Sequence, residues 1–187
     1  MKKIIFATGN EDKMKEIRRI LADPSLEILS LKDAGIHADI DENGKSFEEN
    51  AMIKAEAISK MTGEIVLADD SGLEIDYLNK EPGIYSARYM GEDTSYHIKN
   101  ANLIQRLEGV PDEKRTARFV CAIAAASRMA EERQSVLHGR PHRLRGKREN
   151  GFGYDPIFYL PEYGCTSAEL SMEEKNRISI VEKLFAL

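Results

Sequence analysis

The sequence predicts a mixed α/β fold, in which a long central sheet is flanked by helices. Short apolar runs alternate with segments whose apolar residues recur at helical spacing, and later strand candidates follow one another as hairpins do. A chain of 187 residues, 42% of them apolar, can bury a substantial core. It is most simply one domain, residues 1–187, with room for two lobes.

The first elements are a strand, a loop, a helix and a second strand. Residues 4–7 form a continuous apolar run, and the apolar residues within 14–21 recur at helical spacing. Residues 26–29 predict the second strand. The following segment, 39–44, is acidic and is predicted to be a loop.

Ser46 and Glu49 mark the start of the next helix. Their spacing matches a capping box, in which the serine hydroxyl and the carboxylate each bond a free backbone N–H at the helix start. We expect this helix to bury one apolar face. The residues on that face are Ala51, Ala55, Ile58 and Met61.

The remaining elements follow from apolar runs and from Pro82-Gly83, which interrupts the chain after an extended segment at 73–78. A helix is predicted over about 94–107. Its apolar residues are Ile98, Ala101, Leu103, Ile104 and Leu107. The last two strands and the final helix are predicted at 117–126, 156–160 and 171–186.

Two adjacent carboxylates follow a predicted strand. The apolar residues 65–68 run into Asp69, Asp70, Ser71 and Gly72, so we expect a turn there. Carboxylate oxygens suit Mg²⁺, which phosphate enzymes typically hold through one or two such groups. Asp, Ser and Gly are also ordinary turn formers, so a purely structural role stays open.

The loop between the first strand and the first helix is a candidate phosphate site. Thr8, Gly9, Asn10 and Lys13 would offer backbone N–H groups, small polar side chains and an ammonium to phosphate oxygens. An ordinary strand-to-helix turn with a solvated lysine explains the same residues. The spacing excludes a P-loop.

Two further segments carry groups suited to a nucleotide. Lys54 lies close in sequence to carboxylates such as Glu42 and could hold a phosphate, although a solvated lysine is the default interpretation. A glycine-rich turn carries Phe152, Tyr154 and Asp155, which could stack on a base and read its edge. Aromatic residues in turns also cover core edges, so both interpretations stay open.

Charge and composition exclude several classes of function. The net charge of -5 and the pI near 5.5 argue against indiscriminate polyanion binding. The basic residues within 128–148 are interpreted as a solvated loop, not a nucleic-acid patch. Without a membrane-span or signal-peptide pattern, we expect a cytoplasmic protein that binds neither nucleic acid nor membrane. We assign no role to the cysteines or histidines.

Six motifs in a fixed order resemble the inosine triphosphate pyrophosphatase family over nearly the whole chain. The motifs are 7–10 with Lys13, 46–51 with Lys54, 68–73, 82–89, 151–158, and 168–170 through Lys175 to 178–179. The resemblance implies a long mixed sheet with two lobes around a cleft, usually in a homodimer. It also implies Mg²⁺-dependent hydrolysis of non-standard purine nucleoside triphosphates such as ITP, dITP and XTP to the monophosphate and pyrophosphate.

The resemblance also implies a role for each site residue. Glu42 and Asp70 would bind Mg²⁺, Asp70 would also be the general base, and Lys54 would assist at the phosphates. The implied substrate contacts are Thr8, Gly9, Asn10, Lys13, Ser71, Phe152, Gly153, Tyr154, Asp155 and Lys175.

The C-terminal segment departs from the family pattern. The family has Ser-His-Arg there, which helps to read the purine, whereas Ser179 is followed by Ile180 and Val181. Loss of one base from a family-like coding stretch would give 179–187 as written, and a similar slip would give 127–134. Genuine divergence is the alternative. It predicts a nucleotide-binding protein with low base selectivity or no catalysis.

Overall fold

The computed structural model describes residues 2–127, 133–138, 142–145 and 153–178. These residues form one sheet of eight strands in mixed directions, together with four α-helices. The predicted α/β class is therefore confirmed. None of the helices described is both long and apolar enough to cross a membrane.

The strands are β1 (Lys2–Ala7), β2 (Leu26–Ser30), β3 (Ile65–Ile75), β4 (Thr116–Ala126), β5 (Arg133–His138), β6 (His142–Leu144), β7 (Phe158–Leu160) and β8 (Cys165–Thr166). The α-helices are α1 (Glu11–Ile20), α2 (Phe47–Thr62), α3 (Tyr96–Arg106) and α4 (Met172–Ile178). Short 3-10 helices cover Asp76–Leu78, Gly83–Tyr85, Asp112–Lys114, Asp155–Ile157 and Ser167–Glu169.

The chain divides into two compact units. The first contains the described residues 2–71, 121–127 and 133–137. Its strands follow the order β2-β1-β3-β4-β5, and β1 is parallel to both β2 and β3. Helix α1 buries Met14 and Ile17 in an apolar cluster with β1. This packing fixes the position of the loop between β1 and α1.

The second unit contains the described residues 72–120, 138, 142–145 and 153–178. Its strands follow the order β3-β4-β6-β7-β8, with antiparallel pairing from β4 onward. Strands β3 and β4 therefore contribute residues to both units. The core of this unit includes Leu73, Ile75, Leu103, Leu107, Leu144, Tyr154, Phe158 and Leu160.

Strand β3 is continuous from Ile65 to Ile75, so the predicted turn after residue 68 is wrong. The composition Asp-Asp-Ser-Gly favours a turn only in isolation. Here β3 lies between β1 and β4, and hydrogen bonding to both neighbours keeps its backbone extended. Asp69 and Asp70 are therefore inside a strand, where successive side chains point to opposite faces of the sheet.

Helix α2 begins after Ser46 as predicted, but its start is only half of a capping box. The Ser46 hydroxyl accepts the backbone N–H of Glu49 at 3.2 Å, whereas the Glu49 carboxylate accepts the N–H of Lys45 at 2.6 Å. The predicted apolar face is confirmed as far as Ile58, which is fully buried. Met61 is 63% exposed. It lies three residues after Ile58, and a step of three residues places its side chain about 60° around the helix from that of Ile58.

The buried face of α3 differs from the predicted one. Leu103 is buried, but Ile98 is 51% exposed and Ala101 is also exposed. Lys99 is buried instead, because its ammonium donates to the carbonyl oxygen of Ala87 at 2.6 Å. Apolar periodicity cannot find a buried lysine, because the carbonyl partner is not visible in the sequence.

Two later elements differ from prediction at their bounds. The strand predicted over 156–160 begins only at Phe158, because Asp155–Ile157 forms a 3-10 turn around a proline. Helix α4 begins one residue later than predicted, and Ser171 with Glu174 forms its capping box. The rest of the predicted final helix lies outside the described residues.

A polar cluster in the second unit holds Asp76, directly after β3. Both carboxylate oxygens accept from Arg118, at 2.5 and 2.7 Å, and the Thr116 hydroxyl donates at 2.6 Å. Lys80 adds a further ion pair. Although burial alone would raise the pKa of Asp76, the hydrogen bonds from Lys80, Thr116 and Arg118 lower it to about 2.

We predict that Asp76→Asn destabilises the protein at neutral pH by on the order of 1–2 kcal/mol. The folded-state pKa of Asp76 lies below the unfolded-state value, so its contribution is complete above about pH 4 and is lost as the pH falls toward 2. Urea unfolding at pH 7 and pH 3 measures this. The difference between wild type and variant should be smaller at pH 3, and an equal difference at both pH values contradicts the prediction.

Candidate functional site

The loop after β1 is shaped by its own side chains. The Thr8 hydroxyl accepts the backbone N–H of Asn10 at 3.2 Å, and the Asn10 side-chain oxygen accepts the N–H of Lys13 at 3.2 Å. Asn10 thereby caps α1, an arrangement that leaves the start of a helix suited to an anion. Gly9 is exposed. Thr8, Asn10 and the backbone of Lys13 thus lie in one hydrogen-bonded loop, and phosphate binding there stays a prediction.

Lys13 reaches from α1 to the side chain of Asp69 in β3. Its ammonium donates to the Asp69 carboxylate, which also accepts the Ser71 hydroxyl at 3.1 Å, and the ammonium lies 3.4 Å from the Ser71 oxygen. Burial alone would lower the pKa of Lys13, but the charge and hydrogen bond of Asp69 outweigh burial and raise it. The ammonium is therefore charged and held in place.

Asp69, which has no role of its own in the sequence prediction, is the partner that holds the Lys13 ammonium. Its side chain is 5% exposed, and a carboxylate is rarely buried this deeply unless it is paired. The sequence indicates only that charged residues follow the apolar run 65–68 within one strand. The partner, 56 positions away in the chain, comes from the fold.

Asp70 contacts α2 instead of α1, because adjacent strand residues point to opposite faces. One carboxylate oxygen accepts the side-chain amide of Asn50 at 3.1 Å, and the other accepts the backbone N–H of Ser71 at 3.0 Å. Burial raises the pKa of Asp70; the Asn50 hydrogen bond and the Lys54 charge oppose this, and the Glu42 charge adds to it. Asp70 is therefore a more basic carboxylate than one in water.

Asn50 joins Asp70 to the acidic loop that precedes α2. Its side chain is fully buried, and its oxygen accepts the backbone N–H of Gly44 at 2.8 Å while its amide donates to Asp70. A Cβ added to Gly44 would lie 2.7 Å from that side-chain oxygen. Only a glycine allows this close approach. Asn50 has no predicted role in the sequence, where it occurs only within the motif 46–51.

Glu42 and Lys54 form an ion pair beside Asp70. The Lys54 ammonium lies 3.0 Å from a Glu42 oxygen, and the side chains are only 16% and 26% exposed, respectively. Both charges affect the pKa of Asp70, which places this pair near its carboxylate. The solvated surface lysine that was the default interpretation of Lys54 is therefore wrong.

Cys121 of β4 borders the same group of residues. The thiol is 3% exposed, and burial raises its pKa to about 11. At neutral pH it stays protonated and is a poor nucleophile.

The second unit holds the other predicted site residues that the structure describes, Gly153, Tyr154, Asp155 and Lys175. Asp155 accepts the Lys175 ammonium at 2.9 Å through one oxygen and the Ser167 hydroxyl at 3.0 Å through the other. The backbone carbonyl of Gly153 accepts the side-chain amide of Asn100 at 3.0 Å. Ser167 and Asn100 were not predicted as site residues. Their serine and asparagine side chains have no distinctive sequence pattern.

Tyr154 belongs to the core of this unit. Its ring is 4% exposed and packs edge-to-face on Tyr96, with centroids 5.2 Å apart, and its hydroxyl donates to the carbonyl of Ser86 at 2.7 Å. Its ring is therefore not an open stacking surface, and the core interpretation holds for this residue. Phe152, the other aromatic residue of the predicted turn, lies outside the described residues, as do Ser179, Ile180 and Val181.

The candidate metal ligands of this site are the carboxylates of Glu42 and Asp70. Within the ranges described, no three His, Cys, Asp or Glu side chains are arranged to hold an ion. Two carboxylates, Glu42 and Asp70, lie close enough for the charge of Glu42 to raise the pKa of Asp70, although the charge of Lys54 opposes this more strongly. A hard divalent cation would relieve that repulsion, so this donor pair fits such an ion.

Comparisons with known proteins find relatives over nearly the whole chain. Residues 4–185 match the model of the Ham1 family. The chain is 48% identical to the dITP/XTP pyrophosphatase of Clostridium perfringens, covering 96% of this chain and 91% of that protein. For the dITP/XTP pyrophosphatase of Bacillus licheniformis the values are 47%, 100% and 98%. The fold is similar to that of a Ham1 protein from Staphylococcus aureus, with a TM-score of 0.89, 38% identity and coverage of 99% and 95%.

Proposed function

We infer that this chain, which belongs to the Ham1 family, hydrolyses non-standard purine nucleoside triphosphates to the monophosphate and pyrophosphate. The proposed substrates are ITP, dITP and XTP. The observation that carries this proposal is the pair of carboxylates in β3. Asp69 fixes the Lys13 ammonium, and Asp70, which is half-buried, accepts a hydrogen bond from Asn50. The names of the relatives, dITP/XTP pyrophosphatases, support the same reaction.

The triphosphate is assigned to the loop after β1 and to the two lysines of the first unit. Backbone N–H groups and the small polar side chains of Thr8 and Asn10 suit phosphate oxygens, and the capped start of α1 favours negative charge. Lys13 and Lys54 would stabilise the charge that grows on the leaving pyrophosphate. Because Asp69 and Glu42 already hold these ammonium groups, little reorganisation is needed during the reaction.

Asp70 is assigned as the general base. Its pKa is raised in the protein without a bound ion, so it can accept a proton from water, and Asn50 fixes its orientation. In this mechanism a water attacks the α-phosphorus, its proton passes to Asp70, and the bond to the bridging oxygen of pyrophosphate breaks. The α-phosphorus and the oxygen of the attacking water leave in the monophosphate, and the bridging oxygen leaves in pyrophosphate.

Glu42 and Asp70 are also the proposed ligands of Mg²⁺. When bound, the ion would withdraw charge from phosphate oxygens. Their oxygens suit a hard cation, and their mutual repulsion supports a site for positive charge between them.

The base is assigned to the second unit. Asp155 and Lys175 supply an acceptor and a donor for the base. Gly153 and Tyr154 are proposed to contact it through their backbone. Phe152 is proposed as the stacking residue. Ser71, whose hydroxyl already bonds Asp69, is proposed to contact substrate next to the lysine.

The test is a nucleotide panel with pyrophosphate detection. Wild-type protein with Mg²⁺ should release pyrophosphate from ITP, dITP and XTP, and this release should stop when the metal is chelated. If the residues after Ser179 are genuine, kcat for ATP should be comparable to kcat for ITP. A kcat much higher for ITP than for ATP would contradict that loss of selectivity, and absence of pyrophosphate from every nucleotide would refute the proposed function. Sedimentation of the same sample tests the proposed homodimer.

A further inference from the structure

We propose that Ser167 is a positioning residue for base selection, acting through Asp155. This inference rests on the proposed function, in which Asp155 meets the base. The Ser167 hydroxyl donates to one oxygen of Asp155 at 3.0 Å, and the Lys175 ammonium donates to the other at 2.9 Å. Two donors on two different oxygens fix both the position and the rotation of the carboxylate.

Ser167 is itself held firmly. It is 7% exposed and begins a 3-10 helix that is closed by a capping box between Thr166 and Glu169. The Glu169 carboxylate accepts the backbone N–H of Thr166 at 2.8 Å and its hydroxyl at 3.0 Å. The hydroxyl of Ser167 is therefore presented to Asp155 from a fixed backbone.

Of the described residues of the turn, Gly153 and Tyr154 have polar groups that already bind other parts of the protein. The Gly153 carbonyl accepts from Asn100, and the Tyr154 hydroxyl donates to the carbonyl of Ser86. The Asp155 side chain, in contrast, keeps 22% of its surface exposed. In the described part of the turn, Asp155 is thus the side chain that can meet a ligand.

A fixed carboxylate distinguishes two classes of purine. An ionised carboxylate only accepts hydrogen bonds. In 6-oxo purines such as hypoxanthine and xanthine, N1 carries a hydrogen and donates, whereas N1 of adenine is an acceptor. Lys175 alone would leave rotation about the terminal torsion of Asp155, which is intrinsically broad. The Ser167 hydroxyl removes that freedom and aims the remaining lone pairs, which gives selectivity for a base with N1–H.

The experiment compares KM and kcat for ITP, XTP and ATP in wild type, Ser167→Ala and Ser167→Thr. We expect Ser167→Ala to raise KM for ITP and XTP roughly ten-fold, the cost of one hydrogen bond to a charged group, with kcat within about two-fold. KM for ATP should stay the same. Ser167→Thr keeps the hydroxyl and should restore low KM values.

Ser30→Ala is the matched control. It removes another serine hydroxyl that donates to an aspartate, Asp33, at 2.6 Å, and it should change none of the three KM values. An equal effect of Ser167→Ala on all three nucleotides, or unchanged KM values, overturns the inference. Calorimetric titration with ITP in EDTA measures binding without turnover. If wild type releases no pyrophosphate, the proposed function fails, and equal ITP affinity of wild type and Ser167→Ala in this titration refutes the role of Ser167 separately.

Discussion

Asp70→Asn should lower kcat for ITP by about 1,000-fold while the protein stays folded. The amide cannot take a proton from water, so the proposed general base is lost. Folding should change little, because two effects oppose each other. One accepted hydrogen bond is lost, at a cost of about 1 kcal/mol, and burial of a charge beside Glu42 and Asp69 is relieved. Single-turnover pyrophosphate release and thermal unfolding measure the two effects.

Asp33→Asn is the control for this substitution. Asp33 is a 41% exposed aspartate that binds Ser30 and Arg18 through one oxygen, away from the proposed site. The kcat of the Asp33→Asn variant should equal that of wild type. Retained ITP binding in Asp70→Asn, seen by calorimetry, would separate a lost base from a lost site. A kcat within ten-fold of wild type would remove Asp70 from the role of base.

Gly44→Ala should weaken catalysis and raise the Mg²⁺ concentration that activity requires. The added Cβ would lie 2.7 Å from the Asn50 side-chain oxygen and from the Cβ of Glu49, and 2.9 Å from the backbone nitrogen of Asn50. These atoms belong to the first turn of α2 and cannot move independently. The loop must shift instead, which breaks the bond between Gly44 and Asn50 and displaces Glu42, two residues upstream. We expect a 10- to 100-fold loss of kcat/KM, a rough estimate for a misplaced group, and a higher Mg²⁺ requirement.

Gly63→Ala separates this effect from loss of stability. Gly63 ends the same helix in a left-handed conformation, with φ of 74°, and no atom lies within 4 Å of an added Cβ. Strain there should cost about 1–2 kcal/mol. Overpacking at Gly44 should cost about 1–3 kcal/mol. If Gly63→Ala raises the Mg²⁺ requirement as much as Gly44→Ala does, the local argument is wrong. The Mg²⁺ requirement of both variants is measured by titrating activity with Mg²⁺, and their stability is measured by thermal unfolding.

The chain predicts its local elements well where one face or one cap determines them. The loop after β1 is an example, because Asn10 bonds the N–H of Lys13 only three residues away. Strand β3 was interrupted in the prediction because turn propensity is local, whereas its pairing with β1 and β4 is not. Lys99 was missed for a related reason, since its burial depends on the carbonyl of Ala87 in another segment.

The types of the site residues could be predicted, but their partners could not. Asp70 and Lys54 were identified from motifs, whereas the bond between Asn50 and Asp70 joins a helix to a strand 20 positions away. Asp69 was undervalued because a charge next to a stronger candidate has no pattern of its own. In each case the missing information is a tertiary contact between polar groups, which neither periodicity nor propensity encodes.

The alternation of Asp69 and Asp70 along β3 has a consequence for how this protein can vary. A deletion or insertion of a single residue in β3 before the pair would exchange their two faces. Asp69, which contacts α1, would then face α2, and Asp70, which contacts α2, would face α1. Substitutions elsewhere in β3 change one contact at a time, but a change in length alters both charge pairings together. We therefore expect libraries of variants to accept length changes in the surrounding loops and to reject them between Ile65 and Asp70.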